Sequence, residues 1–378
     1  MRVAMRVAME PIRGTTPRRV VIAGASGFVG SALVAAYRAD GADVRTIGRA
    51  HHRTPAAPIP DATWDDPASI GRLVDGADLV INLAGKSVNC RYTDRNRDEI
   101  LRSRVATTRA LREAIAAASR PPRVWMNAST ATIYRHATDH PQSDHPQTDH
   151  PQSDHPQTDR TGAATPGELG TGFSVDVARS WERELFAGDL PGTRRVALRM
   201  AIVLGDGPAT GMLLRLARLG LGGPQYDGWW PQHRRYRGIG DHPTGDGRAP
   251  RHRTRGRQRF SWIHLDDVVG AVRFLDMHDE IAGPVNVASP RPSDNRTLMG
   301  ILRRAVGAPI GLPAFRWMLE PAMWALRTEP ELVLKSRWVT PERLTDAGFE
   351  FACPDLAQAV EAIVAERPVS EQAASLTR

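Results

Sequence analysis

The sequence predicts an α/β fold: a doubly wound parallel sheet followed by a smaller, mostly helical C-terminal domain. Three observations point there. Short β-branched runs alternate with helical patterns through the first half of the chain, as in sheets buried on both faces. The first run, Val20-Val21-Ile22-Ala23, breaks into Gly24, Gly27 and Gly30, spaced three apart, and opens directly on an apolar helical pattern. The 378 residues are enough for about two domains at ~150 residues each.

In chain order, strands are expected at 20–23, 43–47, 79–83, 124–128 and 195–198, with helices at 31–40, 67–73, 95–118 and 175–186. Each strand is a short apolar run, and each helix shows apolar residues at helical spacing. After Phe260–Asp267 a helix is expected at 268–275, then a strand at 284–288. The remainder reads as helical, with Leu298, Ile301 and Leu302 on one face and an amphipathic stretch at 356–364.

The first strand, turn and helix form a Rossmann-type unit. Free backbone N–H groups and the positive end of a helix converge on one point, which suits a pyrophosphate. Gly24 permits the tight turn, Gly27 the approach of phosphate, and Gly30 the close packing of helix on strand. Ser26, Phe28 and Val29 fill the turn and join the candidate dinucleotide contacts.

The net charge of +8 sits in two places. Residues 1–19 hold five Arg and one Glu, and residues 225–259 hold nine Arg and three Asp, which leaves about −2 for everything else. A near-neutral core argues against nucleic acid as partner. Two distant cysteines, Cys90 and Cys353, suggest neither a disulfide framework nor a metal site, and fit a reducing, cytoplasmic setting. No apolar run reaches the ~20 residues of a membrane span, so no membrane partner is expected. Residues 1–17 read as a disordered N-terminal extension and 367–378 as a tail.

Two low-complexity insertions are expected, at 136–165 and 225–259. The first holds four copies of a five-residue unit, DHPQ(S/T), over 139–158. With no apolar residue but proline, the unit cannot build a core, and its removal should leave thermal stability nearly unchanged. In polyproline II a five-residue step turns successive histidines by roughly 240°, so His140, His145, His150 and His155 share no face and no metal site is expected. The second insertion mixes Tyr226, Trp229, Trp230 and Tyr236 with arginines. Such a mixture can stack on bases, but a solvated loop is the commoner outcome.

The second strand ends at Gly48-Arg49, with Arg53 close by. An acidic residue there would take the ribose hydroxyls of NAD, whereas an arginine fork suits a 2′-phosphate. The expected cofactor is therefore NADP rather than NAD. Asn82-Leu83-Ala84-Gly85 ends another strand on the same edge, where small residues let an adenosine lie against the backbone. Leu83, Ala84 and Gly85 are candidate cofactor contacts, as is Asp65. Ser129 and Thr130 end the next strand. Hydroxyls at that edge face the ligand crevice and are candidates to polarise a substrate carbonyl.

Taken together, the glycine motif, NLAG, ASTATIY, Leu198-Arg199, SWIHLDD and PVNVA resemble the extended short-chain dehydrogenase/reductase superfamily. The likeness is closer to an atypical branch, the "epimerase family" proteins described as nucleoside-diphosphate-sugar epimerase-like. It rests on Arg91-Tyr92-Thr93, Ile100-Leu101-Arg102-Ser103-Arg104, Trp181-Glu182, the GLGGP turn at Gly220–Pro224 and a C-terminal helical domain. It spans about residues 18–366 apart from the insertions. The resemblance implies a Rossmann domain over 18–282, a helical substrate lid over 283–366, and an oxidoreductase or epimerase acting on a small molecule such as a sugar nucleotide. It also puts Arg104 where extended members usually carry Asn, as a contact for cofactor or substrate anion.

One departure bears on chemistry. The superfamily uses a Tyr and a Lys four residues later to exchange a proton with substrate. At the matching places stand Phe173 and Val177, and neither can move a proton. Substitute donors are His264, Asp267, Tyr92 and Arg91, with His264 taken as the third candidate catalytic residue beside Ser129 and Thr130. Asp267 as a helix cap and His264 as a buried structural side chain are the competing readings. The alternative function is a non-catalytic NADP-binding regulatory protein.

Overall fold

The computed structural model describes residues 17–50, 59–144, 165–248, 254–327 and 329–367. The expectations for the N-terminal extension, Arg53, most of the DHPQ repeat and the C-terminal tail lie outside those residues.

The elements follow as β1 (Arg19–Ala23), α1 (Phe28–Ala39), β2 (Asp43–Gly48), β3 (Ala62–Thr63), α2 (Pro67–Val74), β4 (Leu79–Asn82), α3 (Asp94–Ala117), β5 (Val124–Thr130), β6 (Gln142–Ser143), β7 (Thr165–Pro166), α4 (Phe173–Phe186) and β8 (Arg194–Met200). Next come β9 (Ile202–Leu204), α5 (Pro208–Leu216), β10 (Gln225–Tyr226), β11 (Arg259–Phe260), β12 (Trp262–His264), α6 (Leu265–Met277), β13 (Gly283–Val287) and β14 (Ser293–Asp294). The chain continues through α7 (Asn295–Ala305), β15 (Ala314–Phe315), α8 (Arg316–Ala325), α9 (Glu331–Leu334), α10 (Glu342–Asp346) and α11 (Leu356–Glu366).

Seven strands form one sheet in the order β13-β8-β5-β4-β1-β2-β3, and every pairing in it is parallel. The order runs outward in both directions from β1 and β4, so the crevice above their C-terminal ends is where ligands bind in such sheets. Alternation along β1 feeds two cores. Val20 and Ile22 pack with Leu33, Tyr37 and the α6 residues Val268 and Val272 on one face. Val21 and Ala23 pack with Ile70, Leu111, Ile115 and Leu185 on the other. A third core joins Trp262, Leu298, Leu302, Val360 and Ile363 beneath the C-terminal helices.

Three expectations need correction. The expected domain break at 282 is crossed by the sheet, because β13 pairs with β8 as its last strand. The first DHPQS copy and Asp144, which opens the second, are also part of the folded body. Gln142 and Ser143 are buried and form β6, while Asp144 accepts from the Asn286 and Arg343 amides at 2.7 and 3.2 Å. The repeat lacks apolar residues, but the backbone and polar side chains of Gln142, Ser143 and Asp144 find partners in the sheet edge and in the C-terminal domain.

The described part of 225–259 is ordered as well. Asp176 on α4 accepts from the Ile239 and Thr244 amides. The Tyr236 hydroxyl, buried, donates to Glu320 at 3.1 Å, and Arg316 donates to Asp227 at 2.8 Å. Composition hid this, because the segment is anchored by charge pairs and backbone bonds and not by apolar periodicity. Among the described residues, no helix is long and apolar enough to cross a membrane.

Candidate cofactor and active site

Gly24 has φ of +80°, and a Cβ there would lie 2.8 Å from the Leu83 carbonyl carbon. Only glycine permits the turn to pass that close to the chain leaving β4. The Gly24 amide donates to Ile47 at 3.1 Å and the Gly27 amide to Gly24 at 3.0 Å, so the turn is tied to the end of β2. A Cβ on Gly30 would collide with the Gly24 carbonyl, which sets how tightly α1 packs on the turn. Gly27 is the N-cap of α1 and offers no side-chain cap. The first-turn amides of α1 thus keep their donors for a ligand.

From this turn a cavity of about 360 Å³ runs along the sheet edge. Its lining takes in Gly24, Gly27, Phe28, Val29 and Gly30 of the turn, with Leu83 and Arg104. Ser129, Thr130 and Thr132 line it as well, with Met200 and with Tyr92, Phe173, Ser174, Val177, Trp181 and Arg337. Glycine turn, β4 end and β5 end are thereby gathered in one crevice, because Ala23, Asn82 and Asn127 stand in register across neighbouring strands. Below it, Asn82 donates to Asn127 at 2.7 Å, and Trp181 donates to Thr108 at 2.9 Å.

Arg104 enters the cavity from α3. It donates to the Lys86 and Ile100 carbonyls, both at 3.0 Å, and its guanidinium lies 5.0 Å from the Trp181 ring centre. Burial pulls its pKa down to about 10, which leaves a desolvated cation beside the cavity at neutral pH. Gly85 gives it room, since a Cβ there would lie 3.2 Å from the guanidinium carbon. Ala84 is buried and donates its amide to Asn82.

The two β5 hydroxyls differ. Ser129 donates to Glu182 at 2.6 Å, and Glu182 is gripped by Arg199 through Nε at 2.8 Å and Nη2 at 2.7 Å. Burial alone would depress the Arg199 guanidinium, but the bonds to Glu182 and the neighbouring Tyr134 hold it above its ordinary value. Thr130 donates to the Thr132 hydroxyl at 3.1 Å and accepts from the Thr132 amide. Arg337 Nε in turn donates to the Thr132 hydroxyl at 3.1 Å.

Phe173 and Val177, one turn apart on α4, are buried walls of the cavity. Tyr92 packs edge-on against Phe173, ring centres 4.7 Å apart, and burial pushes its phenol well above the usual range. Ser174 donates to Glu331 at 3.1 Å.

The other candidates lie elsewhere. His264 is the N-cap of α6: its Nδ1 accepts from the Asp266 amide at 3.3 Å, and it is not among the residues lining the cavity. Asp267 accepts from the Ala352 and Cys353 amides, so it ties down the C-terminal segment and does not cap α6. Arg49 is exposed just beyond β2, beside the glycine turn. Ser26 is exposed in the turn, and Asp65 is exposed after β3. Arg337, Lys335 and Glu182 completed the surroundings without being anticipated. Glu182 stood inside the Trp-Glu pair already noted, whereas the two C-terminal cations occupy a stretch with no periodic signal.

A parallel, Rossmann-like sheet whose glycine turn opens on a cavity defines the class of protein. Residues 20–160 match the NAD dependent epimerase/dehydratase family, and residues 315–363 match a domain of unknown function, DUF1731. The chain is 29% identical over 356 residues to epimerase family protein SDR39U1 of Bos taurus, covering 92% of this chain and 100% of that protein. It is 25% identical over 349 residues to epimerase family protein YfhF of Bacillus subtilis, covering 92% and 98%. The crystal structure of human epimerase family protein SDR39U1 (isoform 2) with NADPH is similar at a TM-score of 0.69 and 26% identity, covering 92% of this chain and 100% of that one. Over most of its length the chain is thus similar to epimerase family proteins, with a match to DUF1731 near its C-terminal end.

Proposed function

We propose that this protein binds NADP(H) and works as an oxidoreductase or sugar-nucleotide epimerase-like enzyme without the superfamily's Tyr/Lys pair. The observation that carries the reading is the continuous cavity from the uncapped α1 N-terminus to the β5 hydroxyls. The residues fit the cofactor. The free amides of Phe28, Val29 and Gly30 suit the pyrophosphate, and exposed Arg49 beside the turn suits a 2′-phosphate. Ser26, Asp65, Leu83, Ala84, Gly85 and Arg104 complete the proposed contacts. The human relative crystallised with NADPH supports the same choice.

When bound, the nicotinamide supplies or accepts hydride. The chain's own residues place a carbonyl or carbinol of a small molecule at the β5 edge. The Ser129 proton already serves Glu182, so Thr130, with Arg337 behind Thr132, is the better-placed group to orient a substrate oxygen. His264, committed to its cap, is withdrawn as acid or base. Two free cysteines keep the cytoplasm as the proposed location.

The walls formed by Phe173 and Val177 favour one alternative, a non-catalytic NADP-binding regulatory protein. Titrating NADPH and NADH by cofactor fluorescence, then following NADPH oxidation with a panel of carbonyls and nucleotide sugars, separates the readings. Tight NADPH binding with turnover supports the enzyme, binding without turnover the regulator, and absence of binding rejects both.

A further inference from the structure

Helix α8 is built inside out. Its polar side chains face the protein: Arg316 and Glu320, four residues apart, are both buried and bonded to each other at 3.2 Å. Its outer side carries Trp317, Met318, Pro321, Ala322, Trp324 and Ala325, all exposed. A surface helix ordinarily does the reverse. Trp317 and Trp324 are 68% and 61% exposed, in a residue type that prefers to be mostly covered.

The apolar face continues past the helix. Phe315 stacks on Tyr226 with ring centres 5.1 Å apart, and the Leu312 amide bonds to Gly220, which brings exposed Leu219 and Leu221 alongside. Contiguous exposed apolar surface of this kind marks an interaction site.

Charge identifies the occupant. The two segments that make the face, 212–226 and 303–327, carry five arginines (215, 218, 303, 304 and 327) besides Arg316, which is buried and neutralised by Asp227 and Glu320, and Glu320 is their one carboxylate. That carboxylate is turned inward, while Arg215, Arg304 and Arg327 are exposed. A second copy docking here would set arginine rim against arginine rim, which is repulsive. An anionic, partly apolar surface satisfies both features: tryptophans settle at a membrane–water interface and arginines pair with acidic headgroups.

We propose that the α8 face is a peripheral docking site for an anionic lipid bilayer, holding the protein on the membrane surface without a spanning segment. The test is co-sedimentation of the full chain with vesicles of phosphatidylcholine alone and with added phosphatidylglycerol, at low and high salt. Binding to the phosphatidylglycerol vesicles, weakened by salt, is expected. Trp317→Glu with Trp324→Glu should weaken it by about tenfold or more. Trp324 also carries the Arg91 guanidinium 4.1 Å from its ring centre, so Trp317→Glu alone, at a side chain 68% exposed, is the variant that should weaken binding while leaving thermal stability and NADPH binding unchanged. Equal binding by the double variant, or no binding to anionic vesicles, overturns the proposal. A concentration-dependent dimer that the same substitutions disperse, without lipid binding, would assign the face to a second copy and overturn it too.

Discussion

The Ser129 hydroxyl donates to Glu182 Oε1 at 2.6 Å, and Arg199 holds the same carboxylate through two nitrogens, one on Oε1 and one on Oε2. A hydroxyl at the ligand-binding edge of the sheet is therefore the outer end of a buried ion pair. Removing Glu182 would leave the Arg199 guanidinium buried with Tyr134 as its hydrogen-bond partner among the described residues. Glu182→Ala should cost about 3–5 kcal/mol, whereas Ser129→Ala, which leaves the ion pair intact, should cost about 1 kcal/mol. Urea unfolding measures both, and a Glu182→Ala loss no larger than that of Ser129→Ala would mean the pair contributes nothing net.

Arg49 extends beyond β2 next to the turn that Gly24 makes against Ile47. Its guanidinium is proposed to meet a group that NADP has and NAD lacks. Arg49→Ala should raise the Kd for NADPH by about tenfold or more and that for NADH by less than about twofold, in keeping with the loss of one charge-assisted contact. Fluorescence titration with both cofactors checks this, and equal losses would remove the 2′-phosphate role.

Gly30 is the second anchor of the cofactor turn. A Cβ at that position meets the Gly24 carbonyl oxygen, backbone that cannot rotate away. Gly30→Ala should push α1 off the turn, costing about 1–3 kcal/mol of stability and weakening NADPH binding along with it. Gly41, where a Cβ would meet nothing within 4 Å, is a control on backbone freedom: its φ of +80° predicts a strain penalty for Gly41→Ala but no change in cofactor affinity.

The parts of this fold legible in the sequence were those with a short-range signature. Strands 20–23 and 79–83 announced themselves by unbroken apolar runs, and the glycine turn by spacing alone. Tyr92 and Arg104 needed the resemblance, because nothing local says that α3 leans over the β4 end. The surroundings supplied by Lys335 and Arg337 were out of reach, since they arrive from more than 200 residues away through side-chain bonds that leave no period. The α8 face was missed for a related reason: its apolar residues have helical spacing, which reads as core until the structure shows Arg316 and Glu320 on the inner side.

The first repeat copy, with the Asp144 that opens the second, yields a prediction opposite to the one its composition suggested. Asp144 accepts two backbone amides, from β13 and from α10, and Gln142 accepts the Glu168 amide at 2.6 Å. Deleting residues 139–144 breaks all of these and removes β6. A clear fall in Tm is expected, with Asp144→Ala alone costing about 1–3 kcal/mol for unpaired buried amides. An unchanged Tm on deletion would mean that residues 139–144 contribute nothing to the folded body.

Lys335 gives a pH dependence with a definite sign. Its ammonium is buried, donates to the Thr132 carbonyl at 2.7 Å, and is depressed by that burial to about 8 from an ordinary 10.5, with Glu331 opposing and Arg337 adding to the shift. Below pH 8 the group is charged in both folded and unfolded chains, and the full cost of burying the charge, about 3 kcal/mol, is present. Between pH 8 and 10.5 the folded chain releases the proton first, so the unfolded chain binds more protons and stability rises with pH. Lys335→Met removes that cost but leaves the Thr132 carbonyl without its donor, worth about 1–3 kcal/mol. The variant should therefore be equal to the parent or more stable by up to about 2 kcal/mol at pH 7. That advantage should shrink and then reverse as pH approaches 10. Urea unfolding of parent and variant at matched pH values isolates this residue from every other titrating group, and a difference that stays flat across the window would mean the ammonium is already solvated in the folded protein.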